Sequence, residues 1–245
     1  LTERDLRLAV IGDPIAHSRS PVLYRRFLAE ARLGGSYEAI RVEAGDGARA
    51  IDALRAEGYT GLNVTTPLKE EAFARADLRD ASALASGSVN TLVFGERIVG
   101  TNTDGIGALG GLGDAGLTDP AGARVLILGA GPTARAAAAA LVAAGAAVFV
   151  WNRTQARAER VARELGAHVF EAGLRFDAVL SALLPNAVPA DDRVRTIVLV
   201  APIIVDANYG ERATLGAALG RPVSDGTAML EHSARASFAA FCSAA

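Results

Sequence analysis

The sequence predicts an α/β protein of two domains, with mostly parallel sheets and helices on both faces. Three observations predict it. Short apolar runs alternate with segments of helical spacing along most of the chain. The composition changes after Asp104, where the glycine-rich stretch Gly105–Gly116 separates two such alternations. In the second alternation a strand, a glycine turn, an alanine-rich helix and a further strand follow one another directly. The expected division is residues 1–104 and 105–228. The closing segment, about 229–245, could pack on either domain and is assigned to the first.

Leu6–Ile11 reads as a buried strand ended by Gly12-Asp13-Pro14. Pro21 opens a helix through about Ala31, with Ser20 a natural N-cap before it. Tyr37–Val42 is a second strand, Gly47–Glu57 has helical spacing, and Leu62–Val64 is a third strand with helix Leu68–Arg75 behind it. Val89–Phe94 and Ile98–Thr101 form a hairpin around Gly95-Glu96. The turn cluster Thr118–Gly122 then leads into the strand beginning at Arg124. Met229 to Phe241 reads as the closing helix, with Met229, Leu230, Ala234 and Phe238 on one side.

The chain has 245 residues, 51% of them hydrophobic and 21% charged, enough for two small cores. A net charge of −2 gives no footprint for nucleic acid or an anionic membrane. No apolar run approaches a membrane span, and no basic-then-apolar leader stands ahead of the first strand in this sequence, which begins at Leu1. One cysteine, Cys242, allows no intramolecular disulfide and fits a reducing cytoplasm. His17, His168 and His232 are too scattered to read as a zinc site, so no metal is expected. The expected assembly is a monomer or a homodimer.

The glycine turn is the most specific local signal. Val125–Leu128 runs into Gly129-Ala130-Gly131-Pro132-Thr133-Ala134, the pattern G-x-G-x-x-A, and Ala147–Trp151 is the next strand. Gly129 permits the tight turn, and Gly131 lets the backbone approach a pyrophosphate. Ala134 keeps helix and strand close, and the helix N-terminus supplies N–H groups. Pro132 suits a first helical position. This is a Rossmann βαβ unit for a dinucleotide. After its second strand stand Asn152-Arg153-Thr154, with Arg157 one turn on, where an NAD binder places a carboxylate. Arginine accepts a 2′-phosphate and a carboxylate repels one, so NADP is expected.

Four polar patches punctuate the first domain: His17–Pro21, Asn63–Lys69, Gly87–Thr91 and Asn102–Asp104. Each alone reads as a cap or turn. Together, at strand ends, they suggest a pocket for a small polyhydroxylated anion. Lys69 is the expected proton-handling group of an oxidoreductase. Hydride transfer to a ketone leaves an alkoxide, and a nearby ammonium both polarises the carbonyl and supplies the proton. Asp104 is the carboxylate that would orient that lysine and stabilise its charge. The alternative for Lys69 is an exposed helix-start residue paired with Glu70 or Glu71, and for Asp104 a cap of the helix starting at Gly105. His17 is the rival acid/base.

The chain resembles the shikimate dehydrogenase family. The matching segments, in order, are Gly12-x-Pro14-x-x-His17-Ser18-x-Ser20-Pro21, Gly61-x-Asn63-Val64-Thr65-x-Pro67-x-Lys69, Val89-Asn90-Thr91, Gly100-x-Asn102-Thr103-Asp104-x-x-Gly107, the glycine turn, and Asn152-Arg153-Thr154. The resemblance implies NADPH-dependent, reversible reduction of 3-dehydroshikimate to shikimate. It makes Lys69 and Asp104 the catalytic pair and the first domain the substrate domain. It assigns Ser18 and Ser20 to the substrate carboxylate, and Asn63, Thr65, Asn90 and Asp104 to the ring hydroxyls. Tyr209, in Asp206-Ala207-Asn208-Tyr209, is a further candidate substrate contact. Gly129, Ala130, Gly131, Asn152, Arg153 and Thr154 hold NADP by the same resemblance, and Pro132, Thr133, Ala134, Arg157 and Gly226 join them as expected cofactor contacts.

The sequence departs from the family pattern in the last third. Gly226-Thr227-Ala228-Met229-Leu230 stands where G-x-G-M-L is usual, and Ser233 takes the place of a substrate-binding glutamine, with His232 beside it as a compensating group. Ser181-Ala182-Leu183 replaces N-A-[ST], and Tyr24 replaces a histidine. These changes open two other readings, a relative acting on quinate or an aminated analogue, and a non-catalytic NADP-binding regulator.

Overall fold

The computed structural model describes residues 5–243. The chain divides into two compact units, Leu1–Thr103 with Ala234–Ala245, and Asp104–Ser233. The division falls directly before Asp104 and, a second time, between Ser233 and Ala234 inside the last helix.

The first unit is built from β1 (Leu6–Gly12), α1 (Ser20–Ala31), β2 (Gly35–Arg41), α2 (Gly47–Ala56), β3 (Gly61–Val64), α3 (Lys69–Arg75), β4 (Leu78–Arg79), α4 (Ala81–Ser86), β5 (Thr91–Phe94) and β6 (Ile98–Thr101). Its sheet has the order β2-β1-β3-β5-β6-β4. Strand β1 runs parallel to β2 and β3, and β4 parallel to β6, whereas β5 is antiparallel to both of its neighbours. The reversal follows from the short Gly95–Arg97 connection, since only antiparallel strands can be joined so tightly. It has a consequence for function. The start of β5 lies beside the ends of β3 and β6, with Thr91 opposite both Asn63 and Thr101. Separate polar segments thereby reach one edge of one sheet.

Two corrections arise at the local level. Helix α1 begins at Ser20 itself, with Arg19 as N-cap and no side-chain cap from it. The Ser20 N–H instead reaches Ser18 Oγ at 3.3 Å. Pro21 has no N–H to satisfy, so the hydroxyl two residues upstream serves the first orphan donor. Helix α5 likewise includes Asp104 as its first residue rather than starting at Gly105. The pair β4–α4 has no counterpart among the elements expected from sequence, because two residues of strand show no period. Asp80 caps α4 by accepting from Ala83 N at 2.9 Å.

The second unit contains α5 (Asp104–Asp114), β7 (Arg124–Leu128), α6 (Pro132–Ala143), β8 (Ala147–Trp151), α7 (Gln155–Leu165), β9 (His168–Val169), β10 (Ala178–Ser181), α8 (Asp192–Val200), β11 (Ile203–Asp206), α9 (Leu215–Leu219) and the first turns of α10 (Thr227–Ser243). Its sheet is wholly parallel, in the order β11-β10-β7-β8-β9. That is the doubly wound arrangement whose order reverses beside its first strand, β7. Strand β7 is buried on both faces from Val125 to Leu128, as a central parallel strand requires.

Helix α5 carries five glycines, each costing about 1 kcal/mol relative to alanine in a helix interior. Packing explains four of them. A Cβ on Gly105 would stand 2.8 Å from the Ala136 carbonyl oxygen of α6. Gly107 and Gly111 meet Met229, and Gly110 meets the His232 ring. Two helices therefore approach α5 more closely than side chains would allow. Within the first unit, Ala234, Phe238 and Phe241 of α10 pack with Leu6, Leu8, Tyr24 and Phe27. Full burial of one such phenylalanine contributes about 1.5–3 kcal/mol.

Candidate functional site

The polar edge of the first unit is held together by backbone bonds between chain-distant segments. Val64 N donates to Asn90 O at 2.8 Å, Thr65 N to Ile11 O at 2.9 Å, and Asn90 N to Thr101 O at 3.1 Å. The Lys69 carbonyl, at the start of α3, accepts from Val89 N at 3.0 Å. These bonds join two of the expected patches, Asn63–Lys69 and Gly87–Thr91, into one cluster that reaches Thr101, next to the patch Asn102–Asp104.

Side chains complete it. The Asn63 amide donates to Asn90 O and to Thr91 Oγ1, both at 3.3 Å, and its oxygen accepts from Tyr37 OH at 2.8 Å. Asn90 Oδ1 accepts from Thr103 N and from Thr91 Oγ1, both at 2.9 Å. Ser237 Oγ lies 2.7 Å from Thr91 Oγ1 and 3.0 Å from Thr103 Oγ1. Next to this cluster, the Asn102 amide donates to Ser88 Oγ at 2.8 Å and to Ser86 Oγ at 3.1 Å. Thr65 is half-buried beyond the end of β3, and Ser18 and Ser20 stand at the start of α1.

Lys69 is 8% exposed, so it is not the solvated helix-start residue of the alternative reading. Glu71, one proposed partner in that reading, spends its carboxylate on the N–H groups of Gly45 and Gly47, both at 2.8 Å. His17 is exposed. Tyr24, at the family's histidine position, is a core residue. Its ring stacks on Tyr37 at 4.0 Å, its hydroxyl donates to Ala234 O at 3.2 Å, and burial pushes its phenol well above the ordinary value.

In the second unit the candidate groups are mainly backbone. Gly129 has φ +114°, and a Cβ there would come within 3.1 Å of Ala182 O, so the turn after β7 admits only glycine without strain. Gly131 is different. It is the N-cap of α6 in extended backbone, exposed, and a Cβ built on it would meet nothing within 4 Å. The space beside Gly131 and the first turn of α6 is therefore open, as the approach of a pyrophosphate requires. Pro132 is the first residue of α6, and Ala134 is buried against the sheet.

Beyond β8, Asn152 donates to Thr154 O at 3.0 Å, closing the turn, and Arg153, Thr154 and Arg157 are exposed at the start of α7. One α6 residue outside the expected set, Arg135, pairs with Glu164 of α7 at 2.7 Å and holds that carboxyl below its usual range.

Asp104 opens α5 at 8% exposure and accepts from Thr133 Oγ1 at 3.1 Å. From sequence, Thr133 is expected to serve the cofactor alone. The close approach of α5 and α6 at Gly105 makes this threonine a hydrogen-bond partner of Asp104 as well. Tyr209 is half-buried at the N-cap of the short 3-10 turn Gly210–Arg212. Gly226 is packed against the backbone of Ala207 and Asn208, and its N–H donates to Asn208 O at 2.8 Å. That contact accounts for a glycine at this position without any ligand. Ser233 is half-buried beside Gly107. His232 faces Asp114, 3.1 Å away. Its ring packs over Gly110 of α5. Among the described residues no three His, Cys, Asp or Glu side chains gather as a metal-binding group, and no helix is long and apolar enough to cross a membrane.

Four members of the polar edge are given no role by the sequence: Tyr37, Thr91, Thr103 and Ser237. Ser237 carries a detectable signal. It lies at the i+3 position from Ala234 and i−4 from Phe241, a hydroxyl on the apolar face of a helix.

A mixed sheet with a polar carboxyl edge, next in sequence to a parallel Rossmann unit, defines a class of two-domain α/β proteins. Residues 10–92 match the family described as shikimate dehydrogenase substrate binding domain, and residues 113–184 match shikimate / quinate 5-dehydrogenase. The crystal structure of shikimate 5-dehydrogenase from Thermus thermophilus, in complex with NADP(H) and shikimate, superposes with a TM-score of 0.82 at 32% identity, covering 97% of this chain and 94% of that one. Two curated relatives are named shikimate dehydrogenase (NADP(+)). That of Methanococcoides burtonii is 44% identical over 158 residues, 64% of this chain. That of Acidiphilium cryptum is 47% identical over 162 residues, 65% of this chain. The match spans 58% of the length of each curated relative. The chain belongs to the shikimate dehydrogenase family.

Proposed function

We propose that this protein catalyses the reversible, NADP-dependent reduction of 3-dehydroshikimate to shikimate, with Lys69 and Asp104 as the proton-transfer pair. The observation that carries this reading is the likeness over nearly the whole chain to the Thermus enzyme whose structure holds both NADP(H) and shikimate.

The geometry of each unit supports it separately. The turn Gly129–Ala134 with Asn152, Arg153, Thr154 and Arg157 would hold the dinucleotide, and the open space beside Gly131 fits it. NADPH held there would supply the hydride. Lys69 donates a proton to the carbonyl oxygen as the carbonyl carbon gains the hydride, so ketone becomes alcohol. In the reverse direction the neutral amine takes the hydroxyl proton. By the resemblance Asp104, which accepts from Thr133, is the carboxylate that would stabilise the ammonium. Asn63, Thr65 and Asn90 would bind ring hydroxyls and Ser18 and Ser20 the carboxylate, and the resemblance adds Tyr209 and Ser233 as substrate contacts.

A quinate-type substrate is the second reading, because Ser233 offers a hydroxyl where the resemblance expects an amide, and serine reaches less far. Initial rates at the nicotinamide absorbance band, with NADP or NAD and shikimate or quinate, decide between them. Turnover with NADP and shikimate is the expected result; preference for quinate selects the second reading, and no turnover in any pairing selects a non-catalytic NADP binder. We assign the protein to the cytoplasm on its single cysteine, as a monomer or homodimer that sedimentation would distinguish.

A further inference from the structure

We infer that Asn208 is a positioning residue for the dinucleotide site. Its side-chain amide sets the course of the chain leaving β10, and with it one lip of the crevice that the nicotinamide half of NADP would occupy. The inference rests on the reading of the second unit as the NADP-binding unit.

The order of the strands says which half of the cofactor is concerned. A doubly wound sheet takes its ligand beyond the carboxyl ends of its strands, where the order reverses, here between β7 and β10. The turn after β7 would take the pyrophosphate, and Arg153, after β8, the 2′-phosphate of the adenosine half. The nicotinamide half is then left to extend toward the end of β10. The chain leaving β10 is the lip on that side. Its Ala182 carbonyl oxygen lies against the dinucleotide turn, 3.1 Å from a Cβ built on Gly129. Leu184, which follows, is 72% exposed.

At Ala182 the lip is still held by the sheet, since Ala182 N donates to Leu128 O at 2.8 Å. From the next residue its course depends on other ties. Leu183 has no polar side chain, so its carbonyl is the group that can be held, and Asn208 Nδ2 donates to it at 2.9 Å. A carbonyl oxygen can only accept, so this contact fixes which end of the Asn208 amide is nitrogen. The same nitrogen donates to Asp206 Oδ1 at 2.8 Å, and the Asn208 backbone N–H donates to that oxygen at 3.0 Å. Asp206 is 2% exposed, and its other oxygen accepts from Leu215 N at 3.3 Å. The buried carboxylate is an anchor whose desolvation these N–H donors offset. None of these bonds depends on the direction of a hydroxyl proton.

The loop that carries Asn208 is held without the bridge to Leu183. Asp206 accepts from Asn208 N, and Gly226 N donates to Asn208 O at 2.8 Å. What the amide adds is the tie from this loop to Leu183. A second tie lies further along, where Asn186 N donates to Thr214 Oγ1 at 2.8 Å. The lip is thus fastened twice to the chain that follows β11, and Asn208 is the fastening next to the glycine turn.

The test measures binding by calorimetry, without substrate, for NADP and for adenosine 2′,5′-bisphosphate, which has the adenosine half and no nicotinamide. Asn208→Ala is expected to weaken NADP about tenfold, the effect of one lost hydrogen bond, and to leave the bisphosphate unchanged. Asn208→Leu, which keeps the volume and removes the donor, should behave alike, and it decides the question where the alanine variant is too unstable to measure. Equal losses for both ligands would make Asn208 a residue of the fold alone. Unchanged NADP affinity would mean that the lip does not need it. Either result overturns the inference and leaves the proposed function standing. If the wild type binds neither ligand, the cofactor reading fails and the inference fails with it.

Discussion

The two units solve the same problem, presenting polar groups at the carboxyl edge of a buried sheet, with different atoms. In the first unit the edge is made of side chains. Asn63, Asn90, Thr91, Thr103 and Ser237 are locked to one another, drawn from segments up to 174 residues apart, from Asn63 to Ser237. In the second unit the edge is made of backbone. Gly129 turns the chain, Gly131 leaves space, and the first turn of α6 points its N–H groups outward. Among the described residues no buried side-chain nitrogen or oxygen lacks a partner, so the side-chain edge is fully satisfied as well as polar. A side-chain edge can be shaped to a particular small molecule. A backbone edge can recognise a pyrophosphate common to many molecules and leaves discrimination to outlying residues, the role proposed here for Arg153.

That contrast predicts opposite kinds of damage. Removing atoms should disable the first unit, and the largest effect is expected at Lys69. Lys69→Ala should lower kcat by about 10²–10⁴, the usual contribution of a general acid. Binding of NADP should stay intact; stopped-flow turnover with separately measured NADP affinity reads both, and near-normal turnover removes the mechanism. The next effect is at the discriminating residue of the second unit. Arg153→Ala should weaken NADP by about 10–100-fold, the range of a charged hydrogen bond, while leaving NAD affinity unchanged. Equal losses for both cofactors would mean that Arg153 does not meet the 2′-phosphate.

Adding atoms should disable the backbone edge, and two neighbouring glycines separate its two tasks. Gly129→Ala places a side chain at φ +114° against Ala182 and should cost about 1–3 kcal/mol, seen as a lower denaturation midpoint. Gly131→Ala enters open space and should leave the midpoint unchanged while weakening NADP. A fall in stability for both would erase the distinction.

The smallest effect concerns the core beneath the side-chain edge. The Tyr24 phenol ionises near pH 10 when unfolded, and burial raises it in the folded protein. Below pH 10 both states keep the proton and its contribution is intact. Above it the unfolded chain loses the proton first, and stability declines until the folded phenol also ionises. Tyr24→Phe should flatten that part of the alkaline decline in the denaturation midpoint. An unchanged slope would show that Tyr24 is not responsible.

The second unit is largely legible in its residues alone. Its strand, turn, helix and strand lie within residues 124–151, and the positive φ that Gly129 supplies is a property of the turn itself. Thr133 is the exception, because its bond to Asp104 depends on how closely α5 lies on α6. In the first unit the patches are legible but their membership is not. Thr91 and Thr103 stand inside recognisable segments without a role, and Tyr37 reads only as a strand residue. Ser20 has the character of a cap, yet Ser18 does that work because the proline beside Ser20 removes a donor.

The sequence by itself determined the alternation of strands and helices and the dinucleotide turn. These depend on interactions over a few residues: periodicity, backbone freedom at glycine, and the missing N–H of proline. Only the tertiary structure decided which hydroxyls share protons. The reversal of β5 brings Thr91 and Thr101 into register at the edge, and the last helix lowers Ser237 between Thr91 and Thr103. Hydrogen bonds of about 3 Å cannot be read from residues 146 and 134 positions apart in the chain until packing has joined them.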